Sequence, residues 1–217
     1  MNAQELVKHI HWLGHDSFRI EAEKLVIYID PYQLPARDLP KADLILITHH
    51  HGDHCSPQDV ARIQGQETVI VTVPDAAAKL IGQVMQVQPG DTLQVKGITV
   101  QAVPAYNTNK FRSPGNLFHP PHLKLVGFVL TLEGLRVYHA GDSDHIPEMA
   151  QTHADIALLP VSGTYVMTAE EAAKAAADIR PQIAIPMHVG ADIGSPDMAE
   201  TFKSLCIVPV VVLPLER

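Results

Sequence analysis

Asp43-Leu44-Ile45-Leu46-Ile47-Thr48-His49-His50-His51-Gly52-Asp53-His54 is an apolar run that stops abruptly on a polar cluster. The run is bounded by polar residues and rich in branched ones, as a buried β-strand is. Beyond the cluster, Ser56-Pro57-Gln58-Asp59 carries the marks of a helix start, with Ser56 as N-cap, Pro57 at the first helical position and Asp59 closing a capping box. The cluster therefore occupies a short loop between a strand end and a helix N-terminus. Read with its gaps it is His-x-His-x-Asp-His, four metal-capable side chains within six residues. Imidazole and carboxylate at that density suit zinc, manganese or iron rather than calcium.

Outward from this motif, the 217-residue chain is long enough for one well-packed domain and short for two, so a single domain over 1–217 is expected. A hydrophobic content of 46% against 18% charged residues is that of a globular protein with a generous core. The net charge of −8 argues against holding a nucleic-acid backbone through diffuse positive charge. No apolar stretch has the length of a membrane span, and Met1-Asn2-Ala3-Gln4-Glu5-Leu6 lacks a signal peptide's order of charge then hydrophobe. Cys55 and Cys206 are too few for a disulfide framework, and a cytoplasmic location is the default expectation.

Strands are expected at Val7 to Leu13, Ser17 to Ala22 and Leu25 to Ile29, then a helix from about Pro57 to Gln64 and a strand at Thr68 to Val73. A short helix at Asp75 to Ile81 precedes strands at Val84 to Val87, Thr92 to Val95 and Ile98 to Val103. Pro104 to His122 breaks the pattern with four prolines and no periodicity, which suits a lid or binding loop. Strands resume at Lys124 to Leu132 and Leu135 to His139 about a Glu133-Gly134 turn, with another apolar run at Ile156 to Leu159. An alanine-rich helix opens at Thr168 with a capping box. A strand at Ile183 to Met187, a helix at Pro196 to Leu205 and a last strand at Val208 to Leu213 complete the chain. Two stacked sheets with helices outside are expected. Thirteen histidines are many for this length, and several of them, like Asn107 and Asp142, follow apolar strands, where α/β folds place their chemistry.

His49-x-His51-x-Asp53-His54, then Gly141-Asp142, then Pro186-Met187-His188, resembles the metallo-β-lactamase superfamily of metal-dependent hydrolases. Trp12-Leu13-Gly14-His15, Ile29-Asp30-Pro31 and Tyr138-His139-Ala140-Gly141-Asp142-Ser143 look like the branch of ascorbate-6-phosphate lactonase-like proteins and N-acyl phosphatidylethanolamine phospholipase D. The resemblance covers essentially the whole chain. It implies an α/β fold in four layers, αββα, with two mixed sheets flanked by helices. It implies two adjacent divalent ions, zinc being the first expectation and manganese or iron the others. His49 and His51 would bind one, Asp53, His54 and His188 the other, and Asp142 would bridge them. Asp30 lies where the family keeps an acidic residue beneath the site, and a plain turn role before Pro31 explains it nearly as well. One departure stands out: Asn107 occupies the place of a third histidine at the first ion. Amide is a poor zinc ligand beside imidazole. The long loop offers His119, or less favourably His122, as the replacement.

The chemistry this implies is hydrolysis of a small ester, lactone or phosphodiester by a hydroxide shared between the ions, with Asp53 aiming it. His145, His139 or Tyr165 would protonate the leaving group, His145 foremost. Asn107, Lys110 and Arg112 form a candidate clamp for an anionic small molecule, although two charges on a solvated loop are ordinary. Phe111, Leu117 and Phe118 equally suit an apolar pocket. The rivals are a di-iron redox protein, which typically carries a carboxylate where His51 stands, and a non-catalytic or single-metal protein with a degraded first site. The apolar run Val208 to Leu215 suits either a core strand or the interface of a homo-oligomer.

Overall fold

The computed structural model describes residues 1–190 and 193–216. A short helix α1 (Ala3–Val7) leads into the first sheet, made of β1 (Ile10–Gly14), β2 (Ser17–Ala22), β3 (Leu25–Ile29), β4 (Ala42–Ile47), β5 (Gln64–Thr72) and β6 (Gln83–Gln86). Helix α2 (Pro57–Ile63) joins β4 to β5, and α3 (Pro74–Ala77) joins β5 to β6. The six strands lie in sequence order, antiparallel from β1 to β3 and parallel from β3 to β6. The second sheet begins with β7 (Thr92–Val95) and β8 (Ile98–Pro104). A small hairpin, β9 (Phe111–Ser113) and β10 (Asn116–Leu117), stands apart from both sheets. Then come β11 (Val126–Leu132), β12 (Leu135–His139), β13 (Ile156–Pro160), α4 (Ala169–Ile179), β14 (Ile183–Met187) and α5 (Asp197–Leu205). The strand order is β14-β13-β12-β11-β8-β7, with β12, β13 and β14 parallel and the rest antiparallel.

Two mixed sheets thus pack face to face between helices. One continuous apolar cluster fills the space, with Ile27, Leu46 and Val71 from one sheet and Phe128, Leu158 and Ile185 from the other all shielded from solvent. The parallel strands read as unbroken apolar runs because both of their faces are covered. At the β11–β12 turn, Glu133 and Gly134 both have positive φ, as a two-residue turn that follows the strand twist requires. Gly127 has a different role. A Cβ there would lie 2.6 Å from the His139 carbonyl oxygen and 2.8 Å from that of Ala140, so glycine alone lets β11 run so close beneath the segment leading to Asp142.

Four expectations need correction. The first strand begins at Ile10, not Val7, because Asn2 caps α1 through Glu5 N at 2.9 Å and Leu6 and Val7 pack inward as helical residues. The helix read over Asp75 to Ile81 is the single turn Pro74–Ala77. The stretch from Pro104 to His122 is not structureless: it carries β9, β10 and the start of a 3-10 turn at Pro121–Leu123. The apolar tail from Val208 forms no strand, only isolated bridges to Ala184 and Trp12. Pro209 and Pro214 lack the N–H groups a ladder needs, so the tail touches the edges of both sheets without joining either.

Candidate metal centre

Strands β4, β12 and β14 of the two sheets end on the same side and bring His49, His51 and His54, Asp142 and His188 together, with Asp53 at the more exposed rim beside His15. His49 Nε2 lies 3.0 Å from His51 Nδ1, and His119 Nε2 lies 3.2 Å from the same atom. Three imidazole nitrogens therefore converge on a common point, a donor set suited to zinc. A second set forms around His54, His188 and Asp142, with Asp16 close enough to share it. Asp142 stands between the two. Its Oδ1 is 3.3 Å from His54 Nε2 and 3.4 Å from His188 Nε2, while its Oδ2 is 3.5 Å from His119 Nε2 and 3.9 Å from His49 Nε2.

The chemistry of this donor set fits divalent cations. His54 Nε2, His188 Nε2 and Asp142 Oδ1 are buried and find no hydrogen-bond partner, a costly arrangement for polar atoms unless something else binds them. The opposite ring nitrogens are held in place. Asp30 Oδ2 accepts from His54 Nδ1 at 2.8 Å, and Ser162 Oγ lies 2.8 Å from His188 Nδ1. Both contacts leave Nε2 free to bind a cation, the usual device by which a neighbour sets a ligand's tautomer. Asp30 also accepts from Thr48 N at 2.7 Å and Thr48 Oγ1 at 2.6 Å, and Thr48 Oγ1 is 3.0 Å from His49 Nδ1. One buried carboxylate thus orients residues of both clusters.

Burial, which disfavours the imidazolium, holds His49 well below its ordinary pKa and His51 down to about 4, so both rings are neutral and ready to ligate near pH 7. For His54 burial pulls the same way but is outweighed by the Asp142 and Asp30 carboxylates, which raise it well above the ordinary value. Asp142 is depressed well below the carboxylate range because the charges of His54 and His188 overcome the opposing effect of burial. Burial, helped by the nearby Asp142 and Asp30 carboxylates and opposed by His188 and His54, pushes Asp16 up to about 8.

Asn107 is fully buried, and its side-chain amide is occupied by protein groups. Its Nδ2 donates to Asp144 Oδ1 (3.1 Å) and to the Tyr165 carbonyl (2.8 Å), and its Oδ1 accepts from His119 N. His122 is exposed on the 3-10 turn, away from the imidazoles. Lys110 is paired with Glu171 at 2.7 Å and lies 3.4 Å from Asp144, while exposed Arg112 sits 5.3 Å over the Phe118 ring. Both cations of the expected anion clamp thus have partners within the protein. Of the expected proton donors, His145 Nε2 is bound to Asp178 of α4 at 2.8 Å, His139 Nε2 to the Asp16 carbonyl at 2.9 Å, and Tyr165 packs on Phe118. Asp59 does not close its capping box either: Ser56 Oγ accepts from Asp59 N, but the Asp59 carboxylate accepts from Gln33 N and Leu34 N instead.

The sequence reading passed over His15, Asp16, Asp144 and Ser162. His15 is buried, clusters with His54 and His188, and places Nε2 3.4 Å from Asp53 Oδ2. Its burial lowers its pKa to about 4. Gly14-His15-Asp16 reads as a strand separator; His15 closes the Trp12-Leu13-Gly14-His15 run that carries part of the resemblance, but that run assigns neither His15 nor Asp16 a role. Beside His15 opens a cleft of about 800 Å³ walled by Trp12, Leu34, Pro35, Val189 and Leu215.

Layered mixed sheets with clustered histidines and aspartates at their strand ends define a protein of the metallo-β-lactamase fold, and the description "Beta-lactamase superfamily domain" matches residues 9–188. Within that superfamily the chain belongs to the UPF0173 metal-dependent hydrolases. It is 32% identical to a member from Thermoplasma acidophilum over 95% of this chain and 97% of that one, and 34% identical to one from Pyrococcus horikoshii over 82% and 83%. It also superposes on a candidate metal-dependent hydrolase of Parabacteroides distasonis, 37% identical, with a TM-score of 0.81 over 95% of this chain and 93% of the other. The protein is a metal-dependent hydrolase. No helix among the described residues is long and apolar enough to cross a membrane.

Proposed function

We propose that this hydrolase cleaves a small ester, lactone or phosphodiester with two divalent cations, zinc foremost. His49, His51 and His119 would hold one, Asp53, His54 and His188 the other, and Asp142 would face both. The observation that carries this reading is the Asp142 carboxylate, which presents one oxygen to each group of imidazoles. When bound, paired cations supply Lewis acidity and a water acidified towards neutral pH. Asp53 is ionised, since its hydrogen bond with His15 and the charge of His54 outweigh the opposing effect of burial. Its carboxylate is the acceptor that orients the attacking water. His15 fixes that carboxylate from the other side, and Asp30 and Ser162 hold the ligand rings in their working tautomers. The place of a third imidazole is filled by His119, which favours a complete first site over a degraded one.

Elemental mass spectrometry on tag-free protein tests the reading. Two equivalents of zinc, manganese or iron per chain are expected, with hydrolysis of p-nitrophenyl butyrate or bis-p-nitrophenyl phosphate lost on chelation and restored by metal. One equivalent or less in the active protein would remove the two-ion reading.

A further inference from the structure

The cleft beside His15 has a character that the metal centre does not explain. Trp12, Leu34, Pro35 and Leu215 give it apolar walls, and His15, which belongs to both the cleft and the ligand cluster, joins it to the reacting centre. Among the described residues, the arginines that share an ion-pair network with Glu216, next to the wall residue Leu215, are already matched. Arg37 Nη2 is 2.8 Å and Arg19 Nη2 is 3.4 Å from Glu216 Oε2, while Arg19 Nε is 3.1 Å from Glu21. His11 takes the other Glu216 oxygen at 2.7 Å. No unpaired cation among these residues is left to receive a phosphate or carboxylate. The wall is also held in shape, because Asp59 accepts from the backbone N–H groups of Gln33 and Leu34, and Trp12 Nε1 donates to the His15 carbonyl at 2.9 Å. A preformed apolar cleft of this size is the usual form of a small-molecule site.

We propose, resting on the hydrolytic reading above, that this cleft seats a neutral alkyl or aryl group of an ester or lactone substrate. Water would add its hydroxyl to the acyl carbon and its proton to the leaving oxygen as the acyl carbon–oxygen bond breaks. The apolar substituent would lie along Trp12, Leu34 and Leu215.

Trp12 is the single tryptophan of the chain and lines the cleft, so its fluorescence reports occupancy without any turnover. The metal-loaded protein would be titrated with n-alkan-1-ols from butanol to decanol, and kcat/KM measured for p-nitrophenyl esters from acetate to octanoate. A saturable Trp12 response is expected, with Kd falling about three- to fourfold per added methylene until the cleft is full, and kcat/KM rising in parallel. Leu215→Lys, at a position 39% exposed, should weaken octanol binding about tenfold. No saturable response, a Kd indifferent to chain length, or a response to inorganic phosphate at lower concentration would overturn the proposal. So would a Trp12 signal that tracks protein concentration, which would give the cleft to a second copy of the chain. Length-dependent alcohol binding without turnover of any ester would uphold the cleft and refute the chemistry proposed for the centre. Ester turnover with no alcohol binding would do the reverse.

Discussion

Asn107 and His119 hold each other through two hydrogen bonds: Asn107 N donates to the His119 carbonyl at 2.8 Å, and His119 N donates to the Asn107 side-chain Oδ1 at 2.9 Å. The residue that occupies the place of a ligand thus anchors the loop residue whose ring points at His51. Asp144 secures the same loop, accepting from Thr108 N at 2.6 Å and Asn109 N at 2.9 Å.

Asn107→Ala removes the amide, leaves His119 N and the Tyr165 carbonyl without their side-chain partner in a buried site, and takes one of several donors from Asp144. We expect a loss of about 2–4 kcal/mol in stability, given the cost of buried unsatisfied groups. Metal content should fall towards one equivalent per chain. Urea denaturation and elemental analysis read the two effects separately. Full occupancy in the variant would show that the loop needs no anchor.

Asp53→Ala removes a side chain that is 30% exposed, so the fold should survive. Hydrolysis should drop by about 10²–10⁴-fold, the range for a group that positions or accepts a proton. Steady-state kinetics beside a circular dichroism melt checks this. Near-wild-type turnover would take Asp53 out of the machinery.

Gly127→Ala forces a methyl onto two carbonyls, and one strand must give way. The expected cost is about 1–3 kcal/mol, as for other overpacked sites, with weakened metal retention because Asp142 follows directly. Gly52→Ala is the contrast. It lies inside the ligand motif, yet its Cβ would meet nothing within 4 Å. Its effect on stability should stay within about 0.5 kcal/mol.

Glu171 closes the capping box of α4 and also accepts from Lys110 at 2.7 Å and Asn109 at 2.8 Å. Burial raises its pKa, but these hydrogen bonds, from Lys110 above all, leave it below the ordinary 4.5. A depressed folded pKa means stability that is present above 4.5 and lost as pH falls through the folded value. Glu171→Gln should therefore cost about 1 kcal/mol at pH 7, on the scale of a lost cap or charged hydrogen bond. The difference from wild type should shrink as pH falls below 4.5 and through the folded value. Paired urea midpoints at pH 7 and pH 3.5 measure it, and a gap that widens in acid would contradict the assignment.

The convergence of His49, His51 and His54 was legible in the chain because they are neighbours at the end of one strand, where local pattern and ligand spacing coincide. The same holds for the two mixed sheets, since buried parallel strands must be apolar throughout and turns must carry their own residues. What the linear pattern could not reveal depends on contacts far apart in the chain. His15 looks like a turn residue until β1 and β14 bring it against His188, ring centroids 4.3 Å apart. Asp59 looks like half of a capping box until residues 33 and 34 arrive with two unpaired N–H groups. Lys110 and Arg112 look free until Glu171 and Phe118 meet them. The apolar tail looks like a strand, but Pro209 and Pro214 and the two sheet edges it crosses leave it only bridges. In each case short-range preference names what a side chain can do. The partner that satisfies it, and so its role, comes from burial and hydrogen bonding across the assembled sheets.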